Sequence, residues 1–204
     1  FKQVFDGKNR SIGLSTTLVT KADEVKRVTE RQEVTQSKLV MGFRTPYAEP
    51  YTDVAVVKLM CAVLGGTPSS KLFMNVREKM SLCYYCAARY NPNKGIIIID
   101  SGVENANIEK TETAILEQLK SMQAGDITDE EIDAAKLALK NAYITSLDSL
   151  ASIENFYLSQ TFNRETLTPE ESAEKIMAVT KEQIIDAAKS VSLDTIYVLT
   201  SNEQ

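Results

Sequence analysis

Hydrophobic and polar residues alternate along residues 37–46, whose sequence is SKLVMGFRTP. Leu39, Met41 and Phe43 fall on one side of an extended chain, because successive side chains of a strand point to opposite faces. Pro46 ends the segment, since proline has no N–H to donate to a neighbouring strand. The alternation therefore predicts a strand with one buried face.

The next segment, DVAVVKLMCAVLGG, has almost no polar face. Thr52 or Asp53 can cap the N-terminus of a helix here, and Gly65-Gly66 is typical of a helix end. We predict a buried helix in which Cys61 is one of the core residues. A further helix is predicted over residues 67–79.

Two β-rich runs follow, Leu82–Tyr90 and Gly95–Gly102, joined by Asn91-Pro92-Asn93-Lys94. A connection rich in asparagine and proline between such runs predicts a hairpin. The run Ile96–Ile99 is apolar on both faces, which indicates a position inside a sheet and not at its edge.

The rest of the chain has helical periodicity with clear start signals. Thr128-x-x-Glu131 has the sequence of a capping box, in which two side chains satisfy the first N–H groups of a helix. We predict helices over residues 107–125, 128–146 and 149–162, two short helices that begin at Thr168 and Thr180, and a last strand over residues 195–200. The predicted fold class is α+β, an antiparallel sheet with helices packed mainly on one face.

Residues 1–28 are polar and mixed, so we expect an N-terminal linker segment there, with a turn at Asp6-Gly7 and a short β segment near Leu18-Val19. Residues 29–204 are expected to form one domain. The chain starts at Phe1 and not at methionine, which we interpret as a sign that it is a piece of a longer protein.

Composition narrows the classes of function. The net charge is -5, from 23 basic and 28 acidic residues, which argues against a nucleic-acid partner. No apolar run approaches the ~20 residues that a membrane-spanning helix needs. Three cysteines are too few for the disulfide framework of a small secreted protein, so we expect a cytoplasmic location.

The 204 residues include no histidine. Histidine is the commonest general base and the commonest zinc ligand, so a histidine-based active site cannot be built from this chain alone.

Cys83 and Cys86 have the Cys-x-x-Cys spacing of redox and zinc sites, but they lie within a predicted strand. Three residues of strand span ~10 Å and place positions i and i+3 on opposite faces. A disulfide needs Cα atoms within about 7 Å, so we expect two structural cysteines on opposite sides of the strand.

Arg77 and Tyr84 flank the turn into this strand. Periodicity alone indicates a solvated charge for Arg77 and a half-buried aromatic for Tyr84.

Two longer stretches, TERQEVTQSKLVMGFRTP and LMCAVLGGTPSSKLFMNVREKMSLCYYCAARY, resemble a known family. They are similar to the second homologous half of the insulinase/pitrilysin zinc metallopeptidases, and bacterial processing-peptidase-like members are the most similar type. The resemblance runs from about residue 29 to the C-terminus, and Leu64–Tyr90 is its most specific part.

The resemblance implies that each half is an antiparallel sheet backed by helices and that the halves enclose a chamber for peptides. In active members the first half carries the zinc motif His-x-x-Glu-His and a downstream glutamate ligand. The second half carries an arginine and, seven residues later, a tyrosine that help hold the substrate backbone near the metal. Arg77 and Tyr84 match this pair, so they are the candidate substrate-binding and auxiliary catalytic residues.

The zinc motif is absent, so the resemblance implies a non-zinc half that is inactive by itself, with zinc in the N-terminal half of the parent protein. The implied partners are that half or a homologous subunit, in a homo- or heterodimer, and a peptide substrate. Two alternatives remain: a domain of a catalytically inactive partner subunit, and a stand-alone peptide-binding or scaffold module.

Overall fold

Leu39, Met41 and Phe43 lie on the buried face of a strand, Ser37–Arg44, in the computed structural model, which describes residues 18–163 and 165–202. Pro46 follows the end of this strand, as the alternating pattern predicts. The three side chains are at most 1% exposed, so this strand supplies the centre of the core.

Five strands of the described chain form one sheet in the order β1-β5-β2-β4-β3. Neighbouring strands are antiparallel except β1 and β5, which are parallel. The bounds are β1 Lys26–Arg31, β2 Ser37–Arg44, β3 Cys83–Asn91, β4 Ile96–Val103 and β5 Ser192–Thr200.

Strand β1 was not predicted, because all six of its side chains are exposed and no alternation marks them. The expected β segment near Leu18-Val19 is wrong, since neither residue lies in a strand. The predicted turn at Asp6-Gly7 lies outside the described residues.

The helices match the predicted segments closely. Of the helix predicted over residues 67–79, Leu72–Lys79 is present as a π-helix, and the end of the buried helix before it is a π-helix too. The predicted capping box is present at Thr128, and the helices predicted to begin at Thr168 and Thr180 also start with capping boxes. The bounds are α1 Ala55–Cys61, π1 Ala62–Gly66, π2 Leu72–Lys79, α2 Ile108–Gln123, α3 Asp129–Thr145, α4 Leu150–Ser159, α5 Pro169–Ala178 and α6 Lys181–Ser190.

The core lies between the helices and one face of the sheet, which confirms the predicted α+β class. Cys61 is buried there, as predicted. Strand β4 lies between β2 and β3, which confirms the interior position inferred from its four isoleucines. Ile98 is nevertheless 42% exposed, because the described chain packs no helical layer on the opposite sheet face. No helix in the described ranges is long and apolar enough to cross a membrane.

Gly65 allows the end of the buried helix to approach strand β3. A Cβ atom at this position would lie 2.7 Å from Leu72 Cδ1 and 2.8 Å from the backbone nitrogen of Ala88. A methyl group at Gly65 would therefore require movement of strand β3 or of helix π2. Gly66 has no such constraint, because its nearest contact would be Cys61 O at 3.4 Å.

We therefore expect Gly65→Ala to destabilise the fold by about 1–3 kcal/mol through overpacking. Gly66→Ala is the matched control, and its free energy of unfolding should change by less than about 1 kcal/mol. Urea denaturation of the two variants measures the difference. Equal stabilities would show that helix π1 does not pack against β3 this closely.

Candidate functional site

Helix π2 and strand β3 meet at a tight turn. The N–H of Met80 donates to Asn75 O and the N–H of Leu82 donates to Val76 O, which ends the helix. Ser81 has a φ of 51°, the left-handed conformation common just after a helix end. This turn brings the last part of π2 next to the first residues of β3.

The start of β3 contains a β-bulge. Cys83 pairs with Val103 and Tyr85 pairs with Gly102, so Tyr84 is the extra residue without a cross-strand partner. Tyr84 turns outward and is 57% exposed, whereas the ring of Tyr85 covers Gly102. The bulge therefore presents Tyr84 at the edge of the described sheet.

Arg77 is anchored to this bulge. Its Nε donates a 2.9 Å hydrogen bond to the carbonyl oxygen of Tyr84. The guanidinium carbon lies 4.5 Å from the centroid of the Phe73 ring, a distance typical of a cation–π contact, and Nη1 is 3.5 Å from Glu78 Oε1. The two residues that the sequence analysis singled out are thus together, joined through the main chain of Tyr84.

The phenol of Tyr84 has its own partner. Its hydroxyl donates a 3.1 Å hydrogen bond to Glu104 Oε1, just beyond the end of β4. This hydrogen bond and the negative charge of Glu104 raise the pKa of Tyr84. A tyrosine hydroxyl is protonated at neutral pH, so it remains a hydrogen-bond donor here.

A guanidinium and a neutral phenol on one exposed edge can both donate hydrogen bonds to carbonyl or anionic oxygens. The Arg77 side chain is 38% exposed, although its Nε is already engaged. The arrangement is suited to binding a peptide backbone or an oxyanion.

Phe73 and Glu104 were not among the residues predicted from the sequence. Phe73 stands four residues before Arg77 on the same helix, a spacing that places two side chains on one face and that could have indicated the contact. Glu104 comes close only through the β3–β4 register and the bulge, which no sequence pattern marks.

The prediction that Cys83 and Cys86 point to opposite sides of a strand is wrong, because the bulge lies between them. Cys83 packs against the same buried cluster to which Cys86 belongs. Both thiols are free, as is that of Cys61.

A zinc ion does not fit the donor set of the described residues. The sequence has no histidine, and the described residues contain no group of three or more cysteine, aspartate or glutamate side chains that could hold a metal.

A cleft of about 880 Å³ lies at the far end of β3, between the hairpin Tyr90–Asn93 and the start of α1. Lys58 and Tyr143 line it, and the Lys58 Nζ is 3.4 Å from the Tyr143 hydroxyl. Arg77 and Tyr84 do not line this cleft, so the exposed pair and the cleft are separate features.

Comparison with known families gives a match over residues 3–139 to the model described as the peptidase M16 inactive domain. The chain belongs to this family. This match confirms the resemblance of the sequence to the second, non-zinc half of the insulinase/pitrilysin peptidases.

Relatives of this domain carry different descriptions. The "Probable inactive metalloprotease YmfF" of Bacillus subtilis is 33% identical over 98% of this chain and 47% of its own length. The "Uncharacterized zinc protease YmxG" of the same organism is 27% identical over 72% of this chain and 36% of its own length. The chain thus spans less than half the length of either relative.

A solved structure has the same fold. A conserved protein from Enterococcus faecalis V583 superposes with a TM-score of 0.87 and 30% sequence identity, over 95% of this chain and 46% of that one. The antiparallel sheet with helices is therefore the architecture of a family neighbour as well.

The Glu104 contact predicts a measurable titration. Glu104→Gln removes the charge that opposes phenolate formation, so the pKa of Tyr84 should fall toward its ordinary value. The difference in phenolate absorbance between each protein and its Tyr84→Phe counterpart isolates this one tyrosine. An unchanged titration midpoint would show that Glu104 does not hold the Tyr84 hydroxyl.

Proposed function

We propose that this chain is the peptide-binding, non-zinc domain of a peptidase M16 protein, in which Arg77 and Tyr84 hold the backbone of an extended peptide. The observation that carries this proposal is the hydrogen bond from Arg77 Nε to Tyr84 O. It fixes a cation and a phenol on one exposed edge before any ligand binds, and such preorganisation lowers the entropic cost of binding.

The two side chains have complementary roles. With Nε committed to Tyr84 O, the remaining guanidinium N–H groups can donate to a peptide carbonyl. The Tyr84 hydroxyl can exchange Glu104 for a substrate oxygen, at an exposed site where both partners are hydrated. In a complete peptidase the same donors would stabilise the developing oxyanion of the transition state.

Water activation belongs to another part of the protein in this proposal. The partner is an N-terminal zinc-binding half or a homologous subunit, and this domain alone does not hydrolyse peptides. We also propose a cytoplasmic location, because three free thiols are typical of a reducing compartment.

A second candidate is a domain of a catalytically inactive partner subunit. One observation favours it: the 33% identical relative carries the description "Probable inactive metalloprotease". The 27% identical relative, described as a zinc protease, favours the first candidate. Both candidates use the same peptide-binding edge, and they differ in whether the partner half holds zinc.

Substitutions of Arg77 and Tyr84 test whether this domain binds peptides. Tyr84→Phe removes one hydrogen bond and should weaken binding by about 0.5–1.5 kcal/mol, roughly two- to tenfold. Arg77→Lys should weaken it as well, because one ammonium cannot bridge the Tyr84 carbonyl and a peptide as a planar guanidinium can. Fluorescence anisotropy of labelled extended peptides measures the affinity.

Tyr51→Phe is the matched control, because Tyr51 is 54% exposed and lies outside this edge. It should bind the same peptides as the unmodified chain does. Equal affinities for the Tyr84→Phe and Tyr51→Phe variants would contradict the proposed role of the phenol.

Measurements on the full-length protein that contains this chain distinguish the two candidate functions. If it is a peptidase, the purified protein should contain zinc and cleave peptides. Tyr84→Phe should then lower kcat at unchanged zinc content by roughly tenfold or more, since oxyanion donors contribute strongly in the transition state. Binding of peptides without zinc or cleavage would support the inactive partner, and cleavage unaffected by Tyr84→Phe would refute an auxiliary catalytic role.

A further inference from the structure

Strand β3 begins with two thiols on the same side of the sheet. Cys83 pairs with Val103 and Cys86 with Ser101, and the bulge at Tyr84 inserts one residue between them. Cys86 belongs to the buried core, and Cys83 packs against that core from its edge. The two thiols are close enough to interact electrostatically, and each shifts the pKa of the other. The alternation of a regular strand would have kept them apart.

The two cysteines differ in access. Cys83 is half-buried, whereas Cys86 is only 4% exposed. Interaction with the Cys86 thiol and, more weakly, with the nearby guanidinium of Arg77 lowers the pKa of Cys83, while interaction with Cys83 and burial raise the pKa of Cys86. The accessible sulfur is thus the one favoured as a thiolate, and the thiolate is the nucleophilic form.

Cys61 provides an internal comparison. It is 4% exposed within helix α1, and burial raises its pKa to about 12. It has neither the access nor the neighbouring thiol of Cys83, so it should remain inert under the same conditions.

We propose that Cys83 and Cys86 form a dithiol site that a small disulfide, such as glutathione disulfide, oxidises to an intramolecular disulfide. The Cys83 thiolate attacks one sulfur of glutathione disulfide. This step forms a mixed disulfide between Cys83 and glutathione and releases the other glutathione as a thiolate. The Cys86 sulfur then attacks the Cys83 sulfur and releases the second glutathione, which takes the Cys86 proton. Two electrons pass from the cysteines to glutathione disulfide, which is reduced to two glutathione molecules.

The bulge also allows the disulfide between Cys83 and Cys86 to form. A disulfide needs the two Cα atoms within about 7 Å, whereas three residues of regular strand span ~10 Å, so the bond requires a compact segment between the cysteines. Tyr84, which lies in that segment, has no cross-strand partner, and β3 is the last strand in the order of the described sheet. A movement of this segment therefore affects residues that pair with a neighbouring strand of the described sheet on at most one side. The carbonyl that moves is the one that Arg77 holds, so oxidation at this site should also disturb the Arg77 contact.

Peptide mass spectrometry tests the proposal on the whole chain. Trypsin cuts after Lys79 and Arg89, so one peptide, Met80–Arg89, carries both thiols, while Leu59–Lys71 carries Cys61. The chain is incubated with glutathione disulfide, the remaining thiols are alkylated, and the digest is analysed without reduction. We expect Met80–Arg89 to lose two hydrogens and to escape alkylation, with Leu59–Lys71 unchanged.

Single variants assign the roles, with circular dichroism to verify folding. Cys86→Ser should accumulate a glutathione adduct on Cys83, roughly tenfold more than the unmodified chain does, because the resolving thiol is missing. Cys83→Ser should leave Cys86 unreacted, since that thiol is buried. Cys61→Ser should behave as the unmodified chain does.

Two results would overturn the proposal. One is a glutathione adduct on Cys83 that is as abundant in the unmodified chain as in the Cys86→Ser variant. The other is a peptide with both thiols still free at a glutathione disulfide excess that oxidises dithiothreitol in the same buffer.

Discussion

The hydrogen bond from Arg77 Nε to the carbonyl of Tyr84 joins the end of helix π2 to the irregular start of strand β3. The bulge leaves Tyr84 without a cross-strand partner, and Arg77 supplies a partner for its carbonyl. The orientation of Tyr84 toward solvent, the position of Tyr85 over Gly102 and the approach of the two thiols all depend on this bulge. A backbone irregularity at a strand edge is a common way to aim a functional side chain.

The histidine-free composition determines what this edge can contribute. Arg77 and Tyr84 supply hydrogen-bond donors and positive charge, which bind oxygen atoms but do not activate water. The phenol of Tyr84 is a hydrogen-bond donor, and the contact with Phe73 holds the guanidinium in place. The site is thus suited to stabilising charge and to positioning a backbone, and under the proposed function another half or subunit supplies the water activation.

Much of the fold follows from local signals. The alternation around Leu39 predicted a strand, the capping box at Thr128 predicted a helix start, and Gly65-Gly66 predicted a helix end, and the structure contains all three. Strand β1 has no apolar face, so its parallel pairing with β5 could not be inferred. The bulge depends on how β3 pairs with β4 and on the turn after π2, and neither is visible in a local sequence pattern. For this reason the cysteines were predicted on opposite faces of the strand, and the contact of Glu104 with Tyr84 was not predicted.

The most direct test of the account is nuclear magnetic resonance of the isotopically labelled chain during titration with an extended peptide. The account predicts that the Arg77 side-chain N–H and the amides around Tyr84 and Glu104 shift in a saturable way. It also predicts that residues of the separate cleft, such as Lys58, do not shift. Saturable changes confined to the cleft, with Arg77 and Tyr84 unmoved, would contradict the central claim that the bulged edge binds the peptide.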